Sequence, residues 1–209
     1  MEAIAEKGTI KSTPFNVPQY LIKEVVAGIP FYYKDYKAVI NKTKTKEEVM
    51  GCSSLQSIII QYLLFNVCAK LDLKKYWILT NEPGNHLGKN NNLSYDIAVV
   101  EKSVLTPKKV SRKYMNVPPK LIVEVDVKVE LNETDFSSVI DYMFFKTGEV
   151  FKHGVQKLIW ILSRTGKIVM AENGKPWQIY DWSENLEFMD GIEFNVFIFL
   201  EEEGIDPKT

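Results

Sequence analysis

Apolar and polar positions follow two different periods along this chain, and each change of period marks an element. Phe136, Val139, Ile140, Met143, Phe144, Thr147, Val150 and Phe151 keep the i, i+3, i+4, i+7 spacing of one helix face, and Gly154 supplies a stop. At about 100° per residue this apolar face centres near Phe136, Ile140 and Thr147, with Lys146 about 90° away, on the rim. Residues 55–71 are the most apolar stretch, but Gln56, Gln61, Asn66 and Lys70 interrupt it. They predict a buried helix and not a membrane span. Its start lies near Ser53, where Ser53 and Gln56 have the spacing of a capping box. Residues 17–27 predict a short helix ended by Gly28, residues 31–33 and 38–40 a hairpin, and residues 196–203 a closing helix.

Strand signals fall between these helices. Residues 76–80, 96–100 (DIAVV) and 121–129 (LIVEVDVKV) are short and rich in β-branched residues, and Pro118-Pro119 keeps a helix from reaching the last of them. Residues 158–162 and 167–171 predict a hairpin about 163–166, and 178–182 a further strand. Residues 81–92, NEPGNHLGKNNN, are turn-rich and predict a loop. The order predicts an α/β fold of the mixed α+β kind, a mixed sheet flanked by helices. Residues 17–209 are expected to form a single domain, preceded by a loose arm, 1–16.

Composition narrows the class. With 209 residues, 45% hydrophobic and 12% aromatic, the chain can fill a core, which excludes a disordered chain and a small disulfide scaffold. Cys52 and Cys68 have no CxxC partner and read as small buried residues of a reducing compartment. The first residues lack the apolar run of a signal peptide, so a soluble cytoplasmic protein without membrane contact is expected. The net charge of −1 hides an asymmetry. Residues 102–123 hold six basic residues and no acidic one, whereas 176–207 hold nine acidic residues and no basic one. Lys108, Lys109, Arg112 and Lys113 are therefore candidate contacts for nucleic-acid phosphates, with Tyr114 a candidate for base stacking.

The chemistry concentrates in 121–129. A strand buried on both faces should be almost wholly apolar. This one carries Glu124, Asp126 and Lys128, which a period of two places on one face. The bland alternative is a strand with one solvated face. Asp96, opening the strand DIAVV after a polar loop, can converge with Glu124 if the two strands are neighbours. Two carboxylates with water oxygens suit Mg²⁺. A nearby lysine can then steady charge on a phosphate or poise a metal-bound water. Glu82, at the end of a predicted strand, is a weaker candidate ligand. His86 and His153 have no second His or Cys at ligand spacing, so zinc is not expected. Gln56 and Gln61 can line the site or simply pack at a helix end. There is no GxGxxG and no Walker loop.

An Asp followed by an acidic strand that ends in Lys resembles the active-site pattern of the PD-(D/E)XK nuclease superfamily. The chain is similar to one bacterial branch of it, the putative restriction-endonuclease family. The matching segments are NLSYDIAVVEK (92–102), PPKLIVEVDVK (118–128), FFKTGEVFKHGV (144–155) and KLIWIL (157–162). The resemblance implies a restriction endonuclease-like core, DNA as partner, and phosphodiester hydrolysis dependent on Mg²⁺ or Mn²⁺. Carried over, Asp96 matches the first metal-binding Asp and Glu124 the acid of the second motif, with Asp126 a third candidate ligand. Tyr95 stands where the family has Pro, and Asp126 where the superfamily has Lys. In this family the lysine has moved to the following helix, which points to Lys146; the literal alternative is Asp126-Val127-Lys128. A rim lysine can reach along the sheet edge, which favours Lys146. The two departures keep a second reading open: a catalytically inactive nuclease-fold scaffold that binds protein or nucleic acid. A homodimer is compatible with both.

Overall fold

The computed structural model of the chain describes residues 17–131, 136 and 138–206. The expected arm, 1–16, lies outside the described residues. The fold is a mixed α+β arrangement built on two sheets. A six-stranded sheet has the order β10-β9-β8-β7-β6-β3, formed by β3 (Tyr76–Thr80), β6 (Ile97–Glu101), β7 (Leu121–Val125), β8 (Lys157–Leu162), β9 (Lys167–Glu172) and β10 (Gln178–Asp181). A four-stranded antiparallel sheet has the order β2-β1-β5-β4, formed by β1 (Ile22–Val26), β2 (Ile29–Tyr32), β4 (Gly84–Gly88) and β5 (Asn91–Ser94). β7 and β8 pair in parallel, and the chain between them carries helix α4 (Val139–Lys152). A small hairpin, β11 (Leu186–Met189) with β12 (Ile192–Phe194), precedes α5 (Val196–Glu202).

The large sheet is buried on both faces, and its period of two divides the core. On one face Ile97, Val99, Leu121, Val123, Val125, Ile159 and Ile161 pack with residues of helix α3 (Ser54–Tyr62), α5 and the small hairpin. On the other face Ala98, Val100, Ile122, Leu158 and Trp160 pack with Tyr142, Met143 and Val150 of α4 and with Phe31 and Leu93 of the small sheet. Glu124 falls in the second set, so a carboxylate stands where the pattern calls for an apolar side chain. Register then positions its neighbour. β6 and β7 pair Ile97 with Val123, and one step further along the same ladder Asp96 falls beside Glu124.

Several predicted elements hold. The run at 55–71 is helical, α3 passing into a π-helical turn (Leu63–Val67) and a 3-10 turn (Cys68–Lys70). Strands β3 and β6 and the β8–β9 hairpin lie within a residue of expectation, as does α5. Others differ. Residues 22–26 form β1 and not part of a helix, because Ala27 and Gly28, both at positive φ, turn the chain back as a tight hairpin. The predicted hairpin at 31–40 is instead the end of β2 followed by α1 (Tyr36–Ile40). Segment 81–92 holds most of a hairpin, β4–β5, whose strands have low intrinsic β propensity and are held by pairing. The strand at 121–129 stops at Val125, because Asp126 is left-handed (φ 62°). α2 (Lys46–Met50) carries a capping box between Thr45 and Glu48. α3 does not. Ser53 accepts the Gln56 N–H, but the Gln56 side chain is drawn elsewhere. Cys68 is buried, its thiol pushed up to about 12 by burial, whereas Cys52 is exposed. Among the described residues no helix is long and apolar enough to cross a membrane.

Candidate active site

Asp96 and Glu124 sit where β6 begins and β7 ends. Asp96 Oδ2 accepts the Val125 N–H at 2.7 Å, which ties the first carboxylate to the strand of the second. The buried Gln56 amide donates to the Val125 carbonyl at 2.9 Å and to the Asp96 carboxylate at 3.3 Å. Burial raises the Asp96 pKa against the lowering effect of the Val125 N–H and of Lys23, Lys128 and Lys146. Glu124 is pushed up to about 7, chiefly by burial, with Lys146 opposing and Asp96 and Glu24 adding to the rise.

Lys146 reaches this pair from α4. Its Nζ lies 2.7 Å from Glu124 Oε1 and 2.6 Å from Glu24 Oε2. Burial works to lower its pKa, but Glu124 and Glu24 outweigh that and the ammonium is held well above its ordinary value. The rings of Tyr95, Trp160 and Tyr142 stand 5.7, 5.9 and 6.0 Å from Nζ, within cation–π range. Tyr95 therefore forms a wall of the lysine pocket, and its hydroxyl donates to Asn85. The expected rim position of Lys146 is corrected. The buried stripe of α4 runs through Tyr142, Met143, Lys146, Thr147 and Val150, while Ile140 and Phe144 face outward. Counting hydrophobic residues misplaced the stripe because its central member is a charge.

Two contributors were invisible to the strand and helix patterns. Glu24 is buried on β1 and accepts hydrogen bonds from Lys146 and the Tyr142 hydroxyl. Its neighbour Lys23 feels Glu82, Glu124 and Glu24, which hold its ammonium above the ordinary value although burial alone would lower it. Adjacent strand residues normally face opposite ways. Here the pairing with β2 slips between Ile22 and Glu24, a bulge that brings both charges towards the site. Read as a strand, the Ile22-Glu24-Val26 alternation would have placed an acid on a buried face.

The remaining sequence candidates separate from the site. Asp126 is turned to the β8–β9 hairpin, where Oδ1 accepts the Ser163 N–H and Oδ2 the Ser163 hydroxyl, both at 2.7 Å. Its expected place on the Glu124 face fails because the strand has already ended. Lys128 lies within electrostatic reach of Asp96 but makes no ion pair among the described residues. Glu82 pairs with Lys23 at 3.3 Å. Gln61 is exposed, His86 Nδ1 meets Asn92 Oδ1, and His153 Nδ1 meets the Glu149 carbonyl. Residues 107–114 are exposed. Lys108, Arg112 and Lys113 make no ion pair among the described residues, while Lys109 donates to the Val104 carbonyl. Lys109, Lys113, Tyr114, His86, Asn92 and Asn116 help line an open cavity of about 410 Å³.

A divalent cation fits these groups. Two buried carboxylates, Glu24 and Glu124, and the half-buried Asp96 lie about one fully buried ammonium, Lys146. Glu124 Oε1 is buried without a hydrogen bond, since Lys146 approaches it closely but off axis. Asp96 and Glu124 offer only hard oxygen donors, the kind Mg²⁺ takes in small number. Among the described residues no cluster of three or more His, Cys, Asp or Glu is set to enclose a metal, so any cation here would keep water ligands.

No family model matches the sequence, and no curated protein matches it. A solved structure does match: a protein of Anabaena variabilis described as a "putative nuclease belonging to DUF820". The similarity has a TM-score of 0.51 at 13% identity, covering 68% of this chain and 75% of that one. At that identity the likeness speaks to architecture: this chain shares the mixed α+β fold of a nuclease-like protein.

Proposed function

We propose that the chain is a Mg²⁺- or Mn²⁺-dependent nuclease that hydrolyses phosphodiester bonds in DNA. The observation that carries this reading is the buried Lys146 ammonium 2.7 Å from Glu124, with Asp96 at the start of the neighbouring strand bonded to Val125. The nuclease-like fold supports it, although fold alone does not fix activity.

Asp96 and Glu124 would hold the cation, which supplies charge to the scissile phosphate and lowers the pKa of a bound water. Gln56 and the Val125 N–H fix the Asp96 carboxylate in place. Lys146 stays protonated at neutral pH, so its role is to orient the Glu124 carboxylate and balance its charge, not to take a proton. The walls of Tyr95, Tyr142 and Trp160 keep water from screening that charge. The exposed cations of 107–114 would meet the DNA backbone outside the reaction centre.

The test is cleavage of supercoiled plasmid in Mg²⁺ or Mn²⁺, compared with excess chelator and with Glu124→Gln. Cleavage lost in both controls supports the reading. No cleavage and no metal binding by calorimetry would leave the inactive scaffold in its place.

A further inference from the structure

We infer that the Lys23 ammonium is a binding site for a backbone phosphate of the nucleic acid, closed in the free protein by Glu82; this rests on the nuclease reading above. Lys23 lies within electrostatic reach of the Asp96 and Glu124 carboxylates. Its side chain is only 10% exposed, yet its ion-pair partner among the described residues is a single group, Glu82, at 3.3 Å. That is long for a charge-assisted bond, which settles at about 2.7–2.9 Å. The Tyr33 ring centroid lies 5.5 Å from Nζ, within cation–π range, and helps to hold the lysine in place. Lys146, by contrast, is saturated by two carboxylates and is not free to take an external anion.

Glu82 has the opposite character. It is 44% exposed and stands on the β3–β4 turn, where Asn81 and Glu82 are both left-handed (φ 65° and 52°). Two successive residues with a Cβ seldom adopt that conformation, and such strain gathers where function needs it. The strained turn presents a solvent-facing carboxylate to a nearly buried ammonium. An incoming phosphodiester carries the same single charge with oxygen acceptors, and can displace Glu82 without moving Lys23. Because the Lys23 charge also acts on Asp96, a phosphate held there would lie within electrostatic reach of the carboxylates of the proposed reaction centre.

The experiment is a double-mutant cycle read as binding, without turnover. A fluorescein-labelled DNA duplex is titrated by anisotropy in excess chelator with wild type, Lys23→Gln, Glu82→Gln and the double variant. Expected are about tenfold weaker binding for Lys23→Gln, several-fold tighter binding for Glu82→Gln, and a double variant no tighter than Lys23→Gln alone. Lys23→Arg, which keeps the charge, should retain most of the binding and controls for folding. If Glu82→Gln tightens binding equally with and without Lys23, Glu82 acts by general repulsion and the inference is overturned. It is also overturned if Glu82→Gln weakens Mn²⁺ binding, which would make Glu82 a metal ligand. A wild type that cleaves plasmid while all four proteins bind duplex alike defeats this inference and leaves the nuclease reading standing. A wild type that neither binds duplex nor cleaves plasmid in Mg²⁺ or Mn²⁺ defeats both.

Discussion

Glu24 on β1 and Lys146 on α4 meet at 2.6 Å, with side chains 0% and 1% exposed. The pair ties the small sheet to the helix that covers the large one, and Tyr142, one turn before Lys146, donates to the same carboxylate. Glu124 joins from the other side at 2.7 Å. The proposed reaction centre and a structural joint between layers thus share one ammonium, so substitutions at Lys146 must be judged for stability before activity.

Lys146→Met leaves Glu24 and Glu124 buried without their cation. Breaking a buried pair costs about 3–5 kcal/mol, because the abandoned charge has no solvent. The sign with pH follows from the carboxylates. Glu124, already raised by burial, loses in the variant the cation that opposes the rise, so its folded-state pKa stands further above the unfolded one. The protein is then most stable at low pH, where Glu124 is protonated, and loses stability as pH rises through its folded value. Thermal melts of the variant should approach wild type near pH 5 and fall far below it at pH 8. A constant deficit across that range would mean that packing, not charge, explains the loss.

Glu124 itself predicts the reverse effect. Its pKa is raised to about 7, so in wild type its neutral form is favoured by the fold and its ionisation works against stability between about pH 4.5 and 7. Glu124→Gln mimics the neutral form and leaves Lys146 paired with Glu24. At pH 8 the variant should be more stable than the metal-free wild type by up to about 3–4 kcal/mol, at about 1.4 kcal/mol per pKa unit. At pH 4 the difference should vanish. Calorimetry with Mn²⁺ should show binding abolished in Glu124→Gln and in Asp96→Asn; unchanged affinity in both would remove them as ligands.

Much of this site was legible in the sequence, and what was not has a physical cause. Asp96 and Glu124 stood out because a carboxylate in a β-branched run needs a partner, and the β6–β7 register brings them together. The segment 121–129 suggested three charges on one face, but one left-handed residue, Asp126, ended the period after Val125. Lys146 was placed on the rim because hydrophobic counting treats a lysine as solvent-seeking, whereas two carboxylates and three rings make its site polar inside. Glu24 and Lys23 were hidden by reading 17–27 as a helix, and their approach depends on a bulge that no periodicity reports.

Asp126 and Lys128 give a test of register. Asp126→Ala loses both acceptors for Ser163 and retains a Cβ at φ 62°, so it should destabilise the fold by about 1–3 kcal/mol. Asp126→Asn, which tolerates that backbone and keeps one acceptor, should recover most of the loss. Neither variant, nor Lys128→Ala, should change Mn²⁺ affinity beyond about twofold. A large loss of metal binding in Asp126→Asn with an unchanged melting temperature would restore it as a ligand.

The exposed basic segment predicts a salt effect separable from the reaction centre. Residues 107–114 are held at their far end, where Met115 bonds to Gly84 and His86 and the Asn85 amide donates to the Met115 and Val117 carbonyls. The Tyr114 ring lies directly against Gly84, where even a Cβ would come within 2.5 Å, so the segment is seated on β4. Lys108, Arg112 and Lys113, with no acid paired to them among the described residues, present their charge to solvent. Each cation that contacts a duplex phosphate releases counterions and adds about 0.9 to the slope of log affinity against log salt. Replacing Lys108, Lys109, Arg112 and Lys113 with Gln should weaken duplex binding and flatten that slope by up to about 3–4 units, with little change between duplex sequences. Because none of the four touches Asp96, Glu124 or Lys146, Mn²⁺ affinity and melting temperature should stay at wild-type values. Anisotropy titrations at several salt concentrations measure the slope. If wild type and the fourfold variant give the same slope, this segment does not contact phosphate, and DNA must approach the carboxylates from another side.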